Sequence, residues 1–192
     1  FVLLGIASAT VEGITGAVYQ MFSHGIISAM LFLIAGVLYD RTHDRLIENY
    51  SGLATKMKAY TAFVLIAFFA SMGLPGFAGF MGEVMIFFGA FQSQSVNGLV
   101  PAWMAITATL GLLLGAAYYL WTIQRMFYGT YSVRSSLMDL TDLDRREFIM
   151  LLPLALAALI FGILPQLLLN YINPFATDFT STWFSFEKLL TP

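Results

Sequence analysis

The sequence contains no cysteine, only two histidines and few charges: 9 Lys plus Arg and 11 Asp plus Glu in 192 residues, or 10% of the chain. Without thiols there is no disulfide framework, no thiolate nucleophile and no Cys-ligated zinc or iron–sulfur site. A net charge of −2 excludes the basic surface with which proteins neutralise phosphates, so no nucleic-acid partner is expected. Soluble domains carry about 25% charged residues. A chain that is 59% apolar and 10% charged is instead expected in a lipid bilayer. The apolar run Phe1–Ala9 has no cationic stretch before it and does not read as a signal peptide. The expectation is that the sequence begins part-way through a membrane helix of a longer protein.

What is present is long apolar windows. Four, at about 14–39, 59–92, 101–128 and 148–169, hold basic residues only near an end, and each exceeds the roughly 20 residues that span a bilayer core. The second is too long for one straight crossing, since about 34 residues at about 1.5 Å each give roughly 50 Å against a core of about 30 Å. Its break is written at Gly73-Leu74-Pro75-Gly76, where Pro removes a donor and disfavours helix in the preceding residue and Gly lets the chain bend.

Charge placement decides how often that window crosses. Arg41, Arg45, Lys56 and Lys58 lie in one polar loop, and Arg125, Arg134, Arg145 and Arg146 lie in or beside another. One crossing puts all eight on one face, in keeping with the positive-inside rule; two crossings split them four and four. The expected fold is therefore an all-α polytopic membrane helix bundle of four full spans plus part of a fifth. One span is discontinuous at Gly73–Gly76. Residues 1–172 form the bundle and 173–192 an interfacial tail, where Trp183, Phe184 and Phe186 adjoin Glu187 and Lys188. The uncharged stretch Gln92–Val100 marks the opposite face. The Gly111/Gly115 spacing suits a close helix approach, although such pairs also arise by chance.

Most acids fall in loops, at span ends or in the tail, and Glu12 falls in the turn before the first full span; only Glu83 is left inside the membrane. It lies about 14 Å from the uncharged face at helical rise. An ionised acid there costs at least about 2.5 kcal/mol, so intramembrane acids are functional candidates by default. His24 lies about 15 Å deep from the same side. Gln20, His24 and Ser28 recur at i, i+4 and i+8 as a polar stripe, with Ser23 alongside. Carboxyl and imidazole groups suit proton exchange, and broken helices are tolerated where they line a cavity or ion site. The candidate site is thus a proton relay of Glu83 and His24, a polar lining of Gln20, Ser23 and Ser28, and a helix break at Gly73, Pro75 and Gly76. The competing readings are structural: a hydrogen-bonded core His24 and a packing kink at Pro75.

The run Gly16-Ala17-Val18-Tyr19-Gln20-Met21-Phe22-Ser23-His24-Gly25, continuing through Ala29-Met30-Leu31-Phe32 to Gly36-Val37-Leu38-Tyr39-Asp40-Arg41-Thr42-His43, resembles the antiporter-like membrane subunits of respiratory complex I. Gly73-Leu74-Pro75-Gly76-Phe77-Ala78-Gly79-Phe80-Met81-Gly82-Glu83 is similar to the discontinuous helix in the C-terminal half of those subunits. The resemblance covers essentially the whole chain. It implies the last four helices, and a piece of the one before, of a subunit with fourteen helices in two inverted halves. By matching position it makes Glu83 the ionisable residue at the end of the proton path and His24 the histidine of the preceding helix. Glu rather than Lys at this position implies the branch numbered 4 in mitochondria and lettered M in bacteria. The first half, with its buried Glu and Lys, is absent here.

The implied function is proton translocation within an NADH:quinone oxidoreductase, with no cofactor in this chain. NADH, FMN, iron–sulfur clusters and quinone are expected in other subunits. The implied partners are the other membrane subunits, neighbouring antiporter-like subunits among them, and the lipid bilayer. The resemblance of the Asp40-Arg41-Thr42-His43-Asp44-Arg45 run implies the bacterial inner membrane, with the mitochondrial inner membrane as the alternative. The alternatives are the homologous subunit of a membrane-bound hydrogenase or cation/proton antiporter, and a purely structural scaffold. His43, at a span end, is left out of the relay.

Overall fold

The computed structural model describes residues 1–96, 99–134 and 140–190, with side chains as far as Trp183. The expected neighbours of Trp183 in the tail, the side chains of Phe184, Phe186, Glu187 and Lys188, therefore lie outside the described residues. The chain is a polytopic all-α membrane bundle. Its helices are α1 (Val2–Ala7), α2 (Val11–Thr42), α3 (Leu53–Lys56), α4 (Lys58–Ser71), α5 (Ala78–Val96), α6 (Ala102–Phe127), α7 (Arg145–Ile163) and α8 (Gln166–Leu190). Two short strands, β1 (Tyr50–Ser51) and β2 (Ser132–Val133), pair antiparallel. Among these helices α2, α6 and α7 are each long and apolar enough to cross a membrane.

α2 is the axis of the bundle, and its ends follow from local chemistry. Thr10 is extended and its side chain accepts from the Gly13 N–H at 3.1 Å, satisfying one of the free donors of the first turn. At the other end His43 adopts the left-handed conformation and its N–H donates to the Tyr39 carbonyl at 2.7 Å. Glu12 falls inside the first turn of α2 rather than in a turn before it, because the cap is Thr10.

The long window is two helices, α4 and α5, separated by residues 72–77. Gly73 and Gly76 take φ values of +67° and +96°, which L side chains rarely adopt, so the break sits where the Gly–Leu–Pro–Gly run places it. Both helices pack along α2 in one direction. The Tyr60 hydroxyl donates to the Ile34 carbonyl, while further along Gly79 meets Ile27, Gly82 meets Gln20 and Gly89 meets Gly13. The two pieces thus run on past the break in one direction, antiparallel to α2.

The loops agree. β1 belongs to the loop after α2 and β2 to the loop before α7, and their pairing joins the two basic segments on one face. Arg41 at the end of α2 forms a two-pronged ion pair with Glu147 in the first turn of α7, at 2.8 and 2.7 Å. Asp142 accepts from the Ala59 and Tyr60 N–H groups at 2.8 and 3.0 Å, capping α4 from across the fold. Partial burial opposes charge on that carboxyl, but backbone donors from Ala59, Tyr60, Leu143 and Lys58 outweigh it and hold Asp142 below the usual carboxylate range.

Two boundaries and the helix seam differ from what the sequence suggests. α5 continues to Val96, so the uncharged segment from Gln92 begins as helix. The last apolar window is divided at Leu164-Pro165, where α7 stops and α8 starts, although hydropathy does not change there. The close helix seam is not at Gly111 and Gly115, where an added Cβ would meet nothing nearer than 3.7 Å. It lies between α2 and α5: a Cβ on Gly16 would fall 2.6 Å from the Ile86 nitrogen, and one on Gly89 would strike the Gly13 backbone. α8 buries Leu169, Ile172, Ala176 and Thr180 and exposes Tyr171, Phe175 and Phe179.

Candidate functional site

The α2–α5 seam brings Gln20 against Gly82, so the next residue, Glu83, is held beside the polar stripe of α2. Glu83 is 7% exposed. Its carboxyl lies against the α-carbon of Gly73, so that a Cβ at Gly73 would land on the carboxyl oxygens. Gly73 thus serves twice, through its positive φ and through the space it leaves for the acid. Across the break, Gly162 of α7 approaches the Gly76 carbonyl and Phe77 closely enough that a Cβ there would collide. The gap in the α4/α5 helix is therefore met by the Glu83 carboxyl on one side and by the α7 backbone at Gly162 on another.

Glu83, Gln20 and His24 line one cleft of about 380 Å³, together with Ser71, Met72 and Tyr119. The far wall is α6, through Gly111, Leu112 and Gly115, which supply width rather than helix contact. His24 stands on the exposed side of this cleft, and its Nε2 pairs with the Ser28 hydroxyl at 3.0 Å, the i, i+4 contact of the stripe. Ser23 is fully buried behind the wall; its hydroxyl donates to the Gln20 carbonyl at 3.2 Å and approaches the Gln20 amide oxygen at 3.4 Å. So Glu83, His24 and Gln20 share the cleft, Ser23 and Ser28 buttress Gln20 and His24, and Gly73 shapes the seat of the acid. Pro75 is exposed on the turn of the break. No hydrogen bond joins His24 to Glu83 among the described residues; a cleft of this volume has room for waters of about 30 Å³ each between them.

Among the cleft residues that the sequence does not single out are two whose hydroxyls meet. Ser71, the last residue of α4, and Tyr119 of α6 bring their hydroxyls within 2.5 Å. Their only sequence signal was a serine two residues before Gly73 and a tyrosine within an apolar helix.

A helix of an apolar bundle that is broken beside a buried acid is the kind of discontinuous membrane helix from which transport proteins build their sites. A family model described as "NADH:quinone oxidoreductase/Mrp antiporter, TM" matches residues 1–111. The chain belongs to this family. NADH-quinone oxidoreductase subunit M of Rhodobacter capsulatus is 41% identical over 174 residues, which cover 91% of this chain and 32% of that protein. NADH-ubiquinone oxidoreductase chain 4 of Chondrus crispus is 39% identical over 90% of this chain and 34% of its own length. Among solved structures, a chain of respiratory complex I from Thermus thermophilus with bound NADH superposes with a TM-score of 0.84 at 33% identity, covering 94% of this chain and 36% of that one. A chain of the Mrp complex from Dietzia shares the fold, with a TM-score of 0.76 at 21% identity. The chain thus spans about a third of the length of the curated relatives it matches.

Proposed function

We propose that this chain is the C-terminal part of a proton-translocating membrane subunit of the subunit M or chain 4 kind, working in an NADH:quinone oxidoreductase of an inner membrane. Glu83 binds and releases the proton, His24 relays it through the cleft, and Gln20 holds the polar wall. The observation that carries this reading is the Glu83 carboxyl, buried in the gap of a broken helix and open to a cleft shared with an imidazole. An acid in this position has no packing value that Gln or Leu would not supply at lower desolvation cost. The chain performs no redox step. NADH oxidation and quinone reduction, with FMN and iron–sulfur clusters, fall to other subunits, and neighbouring membrane subunits and lipid cover the exposed apolar faces of α6 and α8. The segment 173–192 lies at the lipid–water boundary, supported by the stacked, exposed Phe175, Phe179 and Trp183.

Complementation tests the assignment. Expression of the full-length subunit in a bacterium that lacks its own subunit M is expected to restore NADH-driven acidification of inverted membrane vesicles. Failure to co-purify with the NADH-oxidising subunits, or assembly without acidification, would overturn it.

A further inference from the structure

The hydroxyl pair Ser71–Tyr119 lies in the wall of one cavity, beside an aromatic contact that leads to a second. Both residues line the Glu83 cleft. Behind the Tyr119 ring lies Phe68 of α4, with ring centroids 4.8 Å apart. Phe68 in turn lines a separate groove of about 600 Å³ between α2, α4 and the end of α6, which reaches Tyr39, Asp44, Arg45 and Tyr50 at the basic loop. The Phe68–Tyr119 contact is thus the partition between the cleft and the groove. Ser71 Oγ and Tyr119 Oη, 2.5 Å apart, lie on the cleft side of that contact, and neither residue lines the groove. Ser71 precedes the break and Glu83 follows it, so the pair lies on the basic-loop side of the acid.

We propose that Ser71 and Tyr119 pass protons between the Glu83 cleft and the groove that opens at the basic face. The inference rests on the Glu83 reading above and extends it to the neighbouring side of the break. Each hydroxyl can accept one hydrogen bond while donating another, so a proton taken up from water on one side of the pair is matched by a proton released to water on the other. Both O–H groups are regenerated, and Glu83 changes only between carboxylate and carboxylic acid. A hydroxyl pair is suited to this because neither member need carry charge at rest in apolar surroundings, where an ion would be costly. The ring contact of Tyr119 with Phe68 narrows the passage in the manner of a hydrophobic constriction.

The test uses the complete, assembled enzyme in proteoliposomes, with protons translocated per electron pair as the readout. Tyr119→Phe and Ser71→Ala are each expected to lower that ratio as far as Glu83→Gln does. Ser71→Thr, which keeps the hydroxyl, is expected to restore it, a rescue that a merely structural role would not produce. Normal ratios in Tyr119→Phe and Ser71→Ala beside a lowered ratio in Glu83→Gln would overturn the hydroxyl path and leave the Glu83 reading standing. A normal ratio in Glu83→Gln would overturn both. A loss in Ser71→Ala that Ser71→Thr does not reverse would also overturn it, since the defect would then be one of packing.

Discussion

The Glu83 carboxyl rests against the α-carbon of Gly73, in the gap where the helix that carries both is broken. The contact explains why the break and the acid occur together ten residues apart: the unwound turn supplies a place for a carboxyl that a continuous helix would leave against lipid or neighbouring side chains. It also separates two roles of glycine that the sequence alone merges.

Gly73→Ala and Gly76→Ala should therefore differ. Both force a side chain into a positive φ, at a cost of about 1–2 kcal/mol. Only Gly73→Ala drives a methyl onto the Glu83 carboxyl, whereas a Cβ at Gly76 meets nothing within 4 Å. Assembled enzyme carrying Gly73→Ala is expected to lose most proton translocation, and Gly76→Ala to keep most of it. Equal losses would mean that the seat for the acid is immaterial.

The α2–α5 seam gives a second contrast. Gly16→Ala and Gly89→Ala push a methyl into the facing backbone, and overpacking of this kind costs about 1–3 kcal/mol. Gly25→Ala and Gly36→Ala, also within α2 but with open space around the Cβ, should be neutral or gain up to about 1 kcal/mol from helix propensity. Thermal unfolding of the purified membrane protein in detergent reads both pairs.

These glycines show what the sequence could and could not disclose. Glu83 was legible because charge is so scarce that one acid in an apolar window stands out. The break was legible because Gly and Pro act locally, and the stripe of Gln20, His24 and Ser28 because helical periodicity is local too. Charge parity favoured a single crossing of the broken helix, and the β1–β2 pairing and the Arg41–Glu147 ion pair place the two basic segments together. Partners distant in the chain were not legible. Nothing near Ser71 points to Tyr119, and nothing near Asp142 points to the start of α4. The glycine seam on α5 faces α2 rather than α6, a choice made by three-dimensional packing that a Gly spacing alone does not encode.

The Arg41–Glu147 ion pair ties the basic ends of α2 and α7 together with both side chains about 15% exposed. Removing one partner, as in Glu147→Gln, should destabilise by about 2 kcal/mol, the range of hydrogen bonds to charged groups. A double-mutant cycle with Arg41→Met should recover part of the loss. Strictly additive effects would show that the two side chains do not depend on each other.

Asp142 sets a pH dependence. Its folded-state carboxyl is held below the ordinary value of 3.8, so the cap contributes full stability above that value. The contribution is lost as pH falls from there through the lower folded value. Asp142→Asn should lower the unfolding temperature at neutral pH, and the difference from the unaltered protein should shrink below about pH 4. A difference that persists or grows in acid would contradict the cap.

The central claim is that Glu83 carries the transported proton. Its most direct test is the number of protons moved per electron pair by the assembled, reconstituted enzyme in which Glu83 is replaced by Gln or by Asp. A lowered ratio is expected with Gln, which keeps the shape but holds no exchangeable acid proton, and a ratio at or near normal with Asp. A fully assembled Glu83→Gln enzyme that moves the normal number of protons would contradict it.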